Sequence, residues 1–393
     1  MSVAPKISIL ILFIFFCVVS NAQKKNYGNG LINYSDSTWS VKMELRVQTL
    51  FQGSWDFDDN DVLENADSRF LIRRSRLKFK GFIYDPRVTY KFELGLSNSD
   101  MSGGSSQTRN TPRFILDAMI NWNFYKNFTI SMGQGKLPGN RERLISSGSL
   151  QHVDRSLLNS RFNIDRDIGF QLNHNFTLGK QFYVEETYAF SQGEGRNITA
   201  NNLGGYEHTF KLEVMPFGEI SKNGAYVSSD HLRNEGFKLA IAASYDYHDR
   251  AVRERGNMGN YMVIGSSYFE STISTFFIDA IAKYKGWSFM AEYATRTSDK
   301  KDVVDHEGVK TGQQVQEGFG YNTTLGYLFK NNWEVAGRCT MVNVNDFEET
   351  QYSLGLSKYL KSHRFKVQSD VSWMETSFNN KNLLYRFQVE WSL

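Results

Sequence analysis

Residues 69–96 alternate strictly between apolar and charged side chains, and this alternation restricts the possible folds more than any other feature of the chain. One face of the first half carries Leu77, Phe79 and Ile83. The opposite face carries four cations: Arg74, Arg76, Lys78 and Lys80. Successive side chains of a β-strand point to opposite faces, so a period of two predicts a strand with one apolar and one polar face. Because the alternation resumes after residues 84–86, the stretch predicts a β-hairpin.

The second half of the hairpin places aromatic and aliphatic side chains on one face. Val88, Tyr90 and Phe92 share that face, and Lys91 and Glu93 lie on the other. A transmembrane barrel has an apolar outer wall and a polar interior, and this pattern is typical of one. The alternative is a hairpin of a soluble sandwich whose charged face is simply solvated. The hairpin by itself does not separate these two folds, and the rest of the chain decides between them.

The same alternation recurs along the chain and predicts about sixteen strands. The predicted strands cover 38–51, 69–83, 88–96, 113–124, 128–132, 167–176, 181–190, 207–216, 236–247, 274–284, 287–296, 318–329, 333–342, 350–359, 364–375 and 383–393. Sixteen lies within the even-numbered range of bacterial outer-membrane barrels. We therefore expect an all-β fold, a transmembrane antiparallel β-barrel that closes when its last strand pairs with its first.

The connections between these strands are alternately short and long. The short turns are expected at 84–87, 125–127, 177–180, 285–286, 330–332 and 360–363. With both termini on the periplasmic side, the short turns are periplasmic and the long loops extracellular. One long connection, 217–235, falls on the turn side, and the sequence offers no explanation for it. The long segment 135–166 lacks a period of two, and we expect it to be the loop that folds into the lumen.

The N-terminus has the pattern of a secretory signal. Lys6 precedes the apolar run 7–19, and Ser20-Asn21-Ala22 is a small-x-small cleavage site. The predicted organisation is a signal peptide over 1–22, a lead-in over 23–37 and the barrel over 38–393. The expected location is the Gram-negative outer membrane, reached by export and cleavage of this segment. A net charge of +3 is far from the strongly basic character of a nucleic-acid-binding domain.

Residues 52–68 are rich in acidic side chains and are expected to form a loop. Its acidic residues are Asp56, Asp58, Asp59, Asp61, Glu64 and Asp67. Asp56, Asp58 and Asn60 have the D-x-D-x-N spacing found at the start of a calcium-binding loop. The glycine and the terminal glutamate of that motif are missing, so the prediction is a solvated loop without a metal. No cofactor is expected anywhere in the chain.

Several short motifs resemble the phosphate-selective porin O and P family. They are Gly28-Asn29-Gly30-Leu31, Phe70-Leu71-Ile72-Arg73-Arg74-Ser75-Arg76-Leu77 with Gly81, Leu116-Asp117-Ala118, Gly133-Gln134-Gly135-Lys136-Leu137-Pro138, and Arg166-Asp167-Ile168-Gly169-Phe170. The resemblance implies a trimeric, sixteen-stranded outer-membrane channel that passes anions, often phosphate or polyphosphate. It also implies outer-membrane lipid, lipopolysaccharide and the barrel-assembly machinery as partners. No enzymatic activity is implied.

Cations that face the lumen are the candidate anion-path residues. The strand-borne candidates are Arg74, Arg76, Lys78, Lys80, Arg46 and Lys91. The loop-borne candidates are Arg141, Arg143, Arg155, Arg161 and Arg166. Cations that line a narrow pore favour anions, and the planar guanidinium group suits phosphate oxygens. The same loop also carries Glu142, Asp154 and Asp165. The alternative is that the loop arginines are structural and pair with Glu and Asp side chains on the barrel wall.

Three other functional hypotheses stay open from the sequence. Carboxylates that also read as inward-facing would make a general, weakly selective porin: Glu44, Glu93, Asp117, Glu185, Glu213, Glu292 and Asp370. The sequence Tyr245-Asp246-Tyr247-His248-Asp249 at a predicted strand end would suit an outer-membrane barrel enzyme with an Asp/His site at its rim. The third hypothesis is a binding barrel with a plugged lumen. The nucleophile-elbow, HExxH and phosphate-loop motifs of common enzymes are missing from the sequence.

Overall fold

Sixteen long antiparallel strands make up most of the described part of the chain, and they form one closed sheet. The computed structural model describes residues 30–58, 60, 62–221, 223–378 and 380–393. Each strand pairs with the next, and the last strand closes the barrel by pairing with the first. The predicted sixteen-stranded barrel is therefore confirmed. Its strands, numbered β1 to β16, are Ser40–Phe57, Leu63–Ile83, Asp85–Gly95, Ile115–Tyr125, Phe128–Lys136, Arg166–Leu178, Phe182–Ser191, Glu207–Met215, Lys238–Ala251, Ser271–Tyr284, Trp287–Ser298, Gly318–Leu328, Trp333–Val344, Phe347–Tyr359, Phe365–Thr376 and Lys381–Ser392.

Short elements lie in the connections. The helices α1 to α3 are Asn98–Met101, Arg141–Leu144 and Leu157–Phe162, and single 3-10 turns cover Ser106–Thr108, Ser147–Ser149 and Gly224–Tyr226. Two short hairpins are formed by Val263–Ile264 with Ser267–Tyr268 and by Asp302–Val304 with Lys310–Gln314. Within the described ranges, each helix is too short or too polar to cross a membrane.

The outer wall of the barrel is apolar and its inner side is polar. On β14, Tyr352 and Leu354 are 54% and 58% exposed, whereas their neighbours Gln351 and Ser353 are 4% and 7% exposed. The exposed apolar side chains belong to the outward face and the buried polar ones to the interior. A soluble sandwich has the opposite arrangement, with its apolar face inside. The alternation read from the sequence therefore has the orientation that a transmembrane barrel requires.

The first strand of the barrel begins and the last strand ends at the same end, which we call the turn end. Its connections are Tyr84 alone and residues 126–127, 179–181, 216–237, 285–286, 329–332 and 360–364. The opposite end, the loop end, carries residues 58–62, 96–114, 137–165, 192–206, 252–270, 299–317, 345–346 and 377–380. The expected division into short turns and long loops is therefore present, although three of the loop-end connections are short.

Two segments of the chain pair with the same edge of β1. The last strand pairs with β1 from Arg46 onward, and the N–H of Leu393 donates a 2.9 Å hydrogen bond to the carbonyl of Leu45. Nearer the turn end, the short strand Ile32–Ser35 pairs with Ser40–Met43. This short strand belongs to the predicted lead-in. The predicted signal peptide, 1–22, lies outside the described residues.

The prediction of an acidic loop over 52–68 is wrong. Strand β1 continues to Phe57 and β2 begins at Leu63, so Asp56, Glu64 and Asp67 lie on an extension of the first hairpin. Asp58 closes the tip by accepting hydrogen bonds from the N–H groups of Asn60 and Val62. A strand that extends beyond the membrane has water on both faces, and it therefore loses the apolar alternation that identifies it in sequence. Asp59 and Asp61 lie outside the described residues, whereas Asp56, Asp58 and Asn60, which have the calcium-like spacing, lie within them.

Candidate functional site

Charged side chains form three rows across the inner face of β1 to β4, as the strand register shows. The row nearest the turn end, the lysine row, consists of Lys42, Lys80 and Lys91. The next, the acidic row, consists of Glu44, Lys78, Glu93 and Asp117. The third, the arginine row, consists of Arg46 and Arg76. Adjacent rows are two residues, or about 7 Å, apart along a strand.

Glu44 bridges the lysine row and the acidic row. Its carboxylate lies 2.7 Å from Nζ of Lys42 and 3.4 Å from Nζ of Lys80. It also lies 3.8 Å from Nζ of Lys78 on the neighbouring strand. Like charges placed directly opposite each other destabilise a sheet. The carboxylate of Glu44 therefore offsets the repulsion between the ammonium groups on these two strands.

The remaining carboxylates of the acidic row pair with cations on either side of them. Nζ of Lys91 lies 2.6 Å from Asp117 and 3.7 Å from Glu93. Arg76 lies 3.2 Å from Glu93 and 3.0 Å from Asp100, which belongs to α1 at the loop end. The inner face of β2 to β4 is thus a continuous network of opposite charges. Such a network holds each cation in a fixed position.

The loop of residues 137–165, which we call the inward loop, crosses the lumen. Its apolar side chains Leu158 and Phe162 pack against inward-facing Phe277 and Ala294. The amide Nε2 of Gln151 in the same loop donates hydrogen bonds to the opposite wall, including one of 2.8 Å to Glu334. This confirms the predicted loop inside the barrel.

A second segment, residues 216–237, folds into the barrel from the turn end, and we call it the turn-end insert. Ile220 and Ala225 of the insert pack against Ile145 and Leu150 of the inward loop. The ammonium group of Lys283, on the wall, donates hydrogen bonds to two carbonyl groups of the insert. The long connection that the sequence left unexplained is therefore part of the filling of the lumen.

Two neighbouring cavities lie along the charged wall. The first, about 300 Å³, is lined by Arg46, Glu44, Glu390 and the inward-loop residues Ser146, Gly148 and Ser149, among others. The second, about 260 Å³, is lined by Lys91, Asp117, Lys136, Arg166 and the polar residues Asn121, Ser131 and Gln171, among others. Both cavities are lined by Arg76, Lys78, Glu93 and Ser146. The apolar packing of the inward loop and the insert is against the other strands, and the two cavities lie between this filling and the charged wall.

Five of the predicted path cations line these cavities. Arg46 lines the first cavity, Lys91 and Arg166 line the second, and Arg76 and Lys78 line both. Arg46 is held against the inward loop by hydrogen bonds of 3.1 Å and 2.9 Å to the hydroxyls of Ser146 and Ser147. The guanidinium of Arg166 is 2.7 Å from Asp117 and is almost fully buried. The strand-borne residues are the more accessible members of this group.

The other loop-borne candidates lie in structural contacts. Arg141 is fully buried between Glu213 and Asp279, at 2.8 Å and 2.6 Å. Arg143 donates to Asp165 at 2.8 Å, and Arg155 donates to the carbonyl of Ile145 at 2.7 Å, so both bind within the inward loop. Arg161 pairs with Glu349 on β14 at 2.6 Å. None of these four arginines lines either of the two cavities.

Arg74 and Lys80 also lie outside the linings of the two cavities. Arg74 is buried, and its guanidinium donates a 2.9 Å hydrogen bond to Gln48 and lies 2.7 Å from Asp154 of the inward loop. It thus anchors that loop to the wall. Lys80 belongs to the lysine row and has a side chain that is 44% exposed. Its ammonium group therefore faces open space at the turn end of the charged wall.

Sequence reasoning missed two cations that lie close to this region. Arg364, in the connection before β15, lines the first cavity. Arg196, in the loop of residues 192–206, donates a 2.8 Å hydrogen bond to the carbonyl of Asp100. Burial lowers the pKa of Arg196 to about 10, so the side chain is still a cation at neutral pH. Both lie in connections, where the period of two carries no information about which way a side chain points.

The proposed Asp/His rim site has a different environment from the one expected. Asp246 and His248 are two residues apart on the inner face of β9, and each is only 1% exposed. Asp246 accepts a 2.7 Å hydrogen bond from the hydroxyl of Thr209. The ring of His248 is enclosed by loop backbone at Gly193 and Gly256. These contacts leave the pair without the open position that a substrate would need.

Comparisons with known proteins agree with this architecture. A curated relative from Aquifex aeolicus, described as an uncharacterized protein, is 22% identical over 366 residues, which is 84% of this chain and 82% of the relative. Among solved structures, Pseudomonas putida OprB superimposes with a TM-score of 0.56 at 11% identity, covering 91% of this chain and 95% of that one. An anion-selective porin from Comamonas acidovorans gives 0.52 at 11% identity, covering 90% and 100%. At these identities the likeness concerns the fold alone.

The family model described as phosphate-selective porin O and P matches residues 41–384. This range includes nearly the whole barrel and all three charged rows. The match agrees with the resemblance read from the sequence motifs. The chain therefore belongs to the phosphate-selective porin O and P family, and it is an outer-membrane channel protein of the Gram-negative type.

Proposed function

We propose that this channel is passive, prefers anions over cations, and carries phosphate-like oxyanions along the wall of β1 to β4. The observation that carries the proposal is the position of the two cavities along the charged rows. Seven cations line them against four carboxylates. The cations are Arg46, Arg76, Lys78, Lys91, Lys136, Arg166 and Arg364, and the carboxylates are Glu44, Glu93, Asp117 and Glu390.

The mechanism is electrostatic, without covalent chemistry. Positive groups around a narrow aqueous path lower the free energy of an anion there and raise that of a cation. Guanidinium groups such as those of Arg46 and Arg76 offer planar, multidentate donors to oxyanions. The ion pairs around Arg76 and Lys91 leave these cations partly neutralised. An anion is therefore held weakly and is released quickly, as conduction requires.

The placement of the predicted cations divides them by expected role. Arg46, Arg76, Lys78, Lys80 and Lys91 are proposed to meet the permeant anion. Arg166 is proposed to contribute a fixed positive charge at the second cavity. Arg74, Arg141, Arg143, Arg155 and Arg161 are proposed to hold the inward loop in place. This division supports the alternative that most of the loop arginines are structural.

A general porin with weak selectivity is the second candidate function, and the four lining carboxylates favour it. Four carboxylates offset more than half of the seven lining cations. Under this alternative the net field is small, and chloride, phosphate and small cations pass at similar rates. Ion selectivity distinguishes the two candidates directly.

The test compares purified protein and a double variant, Arg76→Gln with Lys78→Gln, in planar lipid bilayers under a KCl gradient. We expect the anion-to-cation permeability ratio to fall at least about threefold, because two unit charges leave the path. The matched control is Lys126→Gln with Lys285→Gln, which removes the same charge from the short turns 126–127 and 285–286. An unchanged ratio in the Arg76/Lys78 double variant would contradict this path.

Family membership supports three further proposals. We propose that the channel assembles as a homotrimer, as the resemblance implies. We propose that residues 1–22 are a signal peptide removed after Ala22. We also propose contacts with outer-membrane lipid and lipopolysaccharide on the apolar wall, and insertion by the barrel-assembly machinery. N-terminal sequencing of the mature protein and light scattering of the detergent-solubilised protein test the first two.

A further inference from the structure

Glu44 is unusual among the carboxylates on the charged wall. The side chains of Glu93 and Asp117 are 11% and 2% exposed, and each is fixed between arginine and lysine side chains. Glu44 has a side chain that is 24% exposed, and its ion pairs are with lysines. It also lines the first cavity. An anion in that cavity therefore meets the carboxylate of Glu44 together with the ammonium group of Lys78, which lines the same cavity.

The register gives Glu44 a specific position between two sets of cations. The lysine row lies about two residues, or ~7 Å, toward the turn end, and the arginine row lies the same distance toward the loop end. Lys42 and Arg46 flank Glu44 on its own strand, and Lys78 lies opposite it on β2. A negative charge at this point acts on both cationic rows. Removing it would expose the ammonium groups of Lys42, Lys78 and Lys80 to a passing anion without compensation.

We propose that Glu44 is a specificity-determining residue that limits how strongly Lys42, Lys78 and Lys80 bind the permeant anion. Its carboxylate competes with the anion for three ammonium groups. The carboxylate therefore lowers the affinity of the path for the anion and speeds its release. It also reduces the preference for anions over cations. This inference rests on the proposed anion-preferring function, and it adds a residue whose charge is opposite to that of the other path residues.

The direction in which ion selectivity changes distinguishes a screening carboxylate at position 44 from a purely structural one. A carboxylate that is only structural, when changed to an amide, would leave selectivity alone or disturb the barrel. A screening carboxylate, when changed to an amide, makes the channel more selective for anions. The same change also makes inorganic phosphate a stronger blocker of chloride current, because phosphate then meets three unscreened lysines.

The experiment uses the full mature channel in planar bilayers, with wild type, Glu44→Gln, Glu44→Asp and the control Glu348→Gln. Glu348 lies near the loop end on β14 and is exposed, so it supplies the same chemical change away from the path. We expect Glu44→Gln to raise the anion-to-cation permeability ratio about threefold, since one unit charge within about 4 Å of three cations is removed. Half-block of the chloride current should occur at about threefold lower inorganic phosphate. Glu44→Asp and Glu348→Gln should match wild type.

A Glu44→Gln channel whose permeability ratio and phosphate block are both unchanged would overturn the inference. If Glu44→Gln does not assemble, Lys80→Gln supplies the second arm, because its exposed ammonium group pairs with Glu44. We expect Lys80→Gln to lower the ratio, and an unchanged ratio in that variant would also overturn the inference. Failure of the proposed function is distinguishable, because it would show as a wild-type channel without anion preference.

Discussion

The backbone N–H of Ser228 donates a 3.0 Å hydrogen bond to the carbonyl oxygen of Ser149. Ser149 belongs to the inward loop, which enters the barrel from the loop end, and Ser228 belongs to the turn-end insert. The two segments therefore meet inside the lumen. Their apolar side chains pack against strands other than β1 to β4, and the inward loop also contacts Arg46 of the arginine row. The width of the path along β1 to β4 thus depends on how firmly these two segments are packed.

Releasing the turn-end insert should widen the channel. Ile220 is buried between the insert, the inward loop and the wall. An Ile220→Asp change would bury a carboxylate without a partner, at a cost of several kcal/mol in real proteins. We expect the insert to leave its packed position and the single-channel conductance to rise. Glu219→Gln, at the exposed neighbouring residue, is the control and should conduct like wild type. A folded Ile220→Asp barrel with wild-type conductance would show that the insert does not restrict the path.

Adding one methyl group to the inward loop should narrow the first cavity. A Cβ atom at Gly148 would overlap Nη1 of Arg46 and lie 2.6 Å from Oε1 of Glu390. We expect Gly148→Ala to push the guanidinium of Arg46 into the cavity and to reduce single-channel conductance. Ser149→Ala, one residue away, removes an oxygen atom and should conduct at least as well as wild type. Equal conductance in the two variants would mean that this part of the loop does not border the path.

The buried arginine Arg141 should be important for stability rather than for selectivity. Its guanidinium compensates both Glu213 and Asp279. Replacing it with methionine leaves two buried carboxylates without their cation, which typically costs about 3–5 kcal/mol. Arg161→Met is the matched control, because Arg161 pairs with Glu349 from a side chain that is 40% exposed and should cost about 1 kcal/mol or less. The temperature at which the folded barrel loses its fast mobility in denaturing gels measures the difference. Equal temperatures for both variants would contradict the structural role.

Acid should loosen the turn-end insert through two histidines. The rings of His231 and His363 lie 4.3 Å apart. Burial, together with the nearby charges of Lys366 and Lys283, lowers the pKa of His231 to about 4, and burial also lowers the pKa of His363. A released histidine has a pKa of about 6.5 and therefore binds more protons than the packed one between pH 4 and 6.5. The packed state thus loses stability as the pH falls through this window.

We therefore expect the single-channel conductance to rise, or to fluctuate more, between pH 7.5 and pH 4.5. The double variant His231→Gln with His363→Gln should show a smaller change over the same range. A wild-type channel whose conductance is the same at both pH values would contradict this link between protonation and packing.

The outer framework of this protein was predictable from sequence, because every membrane-crossing strand has lipid on one side and polar contacts on the other. That constraint imposes the period of two that locates β2 and β16, for example. The constraint ends where a strand leaves the membrane. For this reason the sequence predicted a loop at the hairpin extension near Asp56 and Glu64. The same period of two predicted that the charged side chains of β1 and β2 share the inner face.

The filling of the lumen was not predictable in detail. Arg141 and Asp279 are 138 residues apart in sequence, and nothing local indicates that they form an ion pair. One feature of the sequence does indicate that the lumen is partly filled. The inner faces of the downstream strands carry apolar residues such as Phe277, Ile281 and Met290, whereas the inner face of β1 carries charges. Apolar residues on an inward face require a covering segment, and residues 137–165 and 216–237 provide it.

The most direct test is the reversal potential of the wild-type channel in a KCl gradient, followed by addition of inorganic phosphate. We expect a potential of the sign that chloride preference produces, and a fall in chloride current as phosphate occupies the charged wall. A reversal potential that favours potassium would contradict the central claim that the cations on β1 to β3 select the permeant ion.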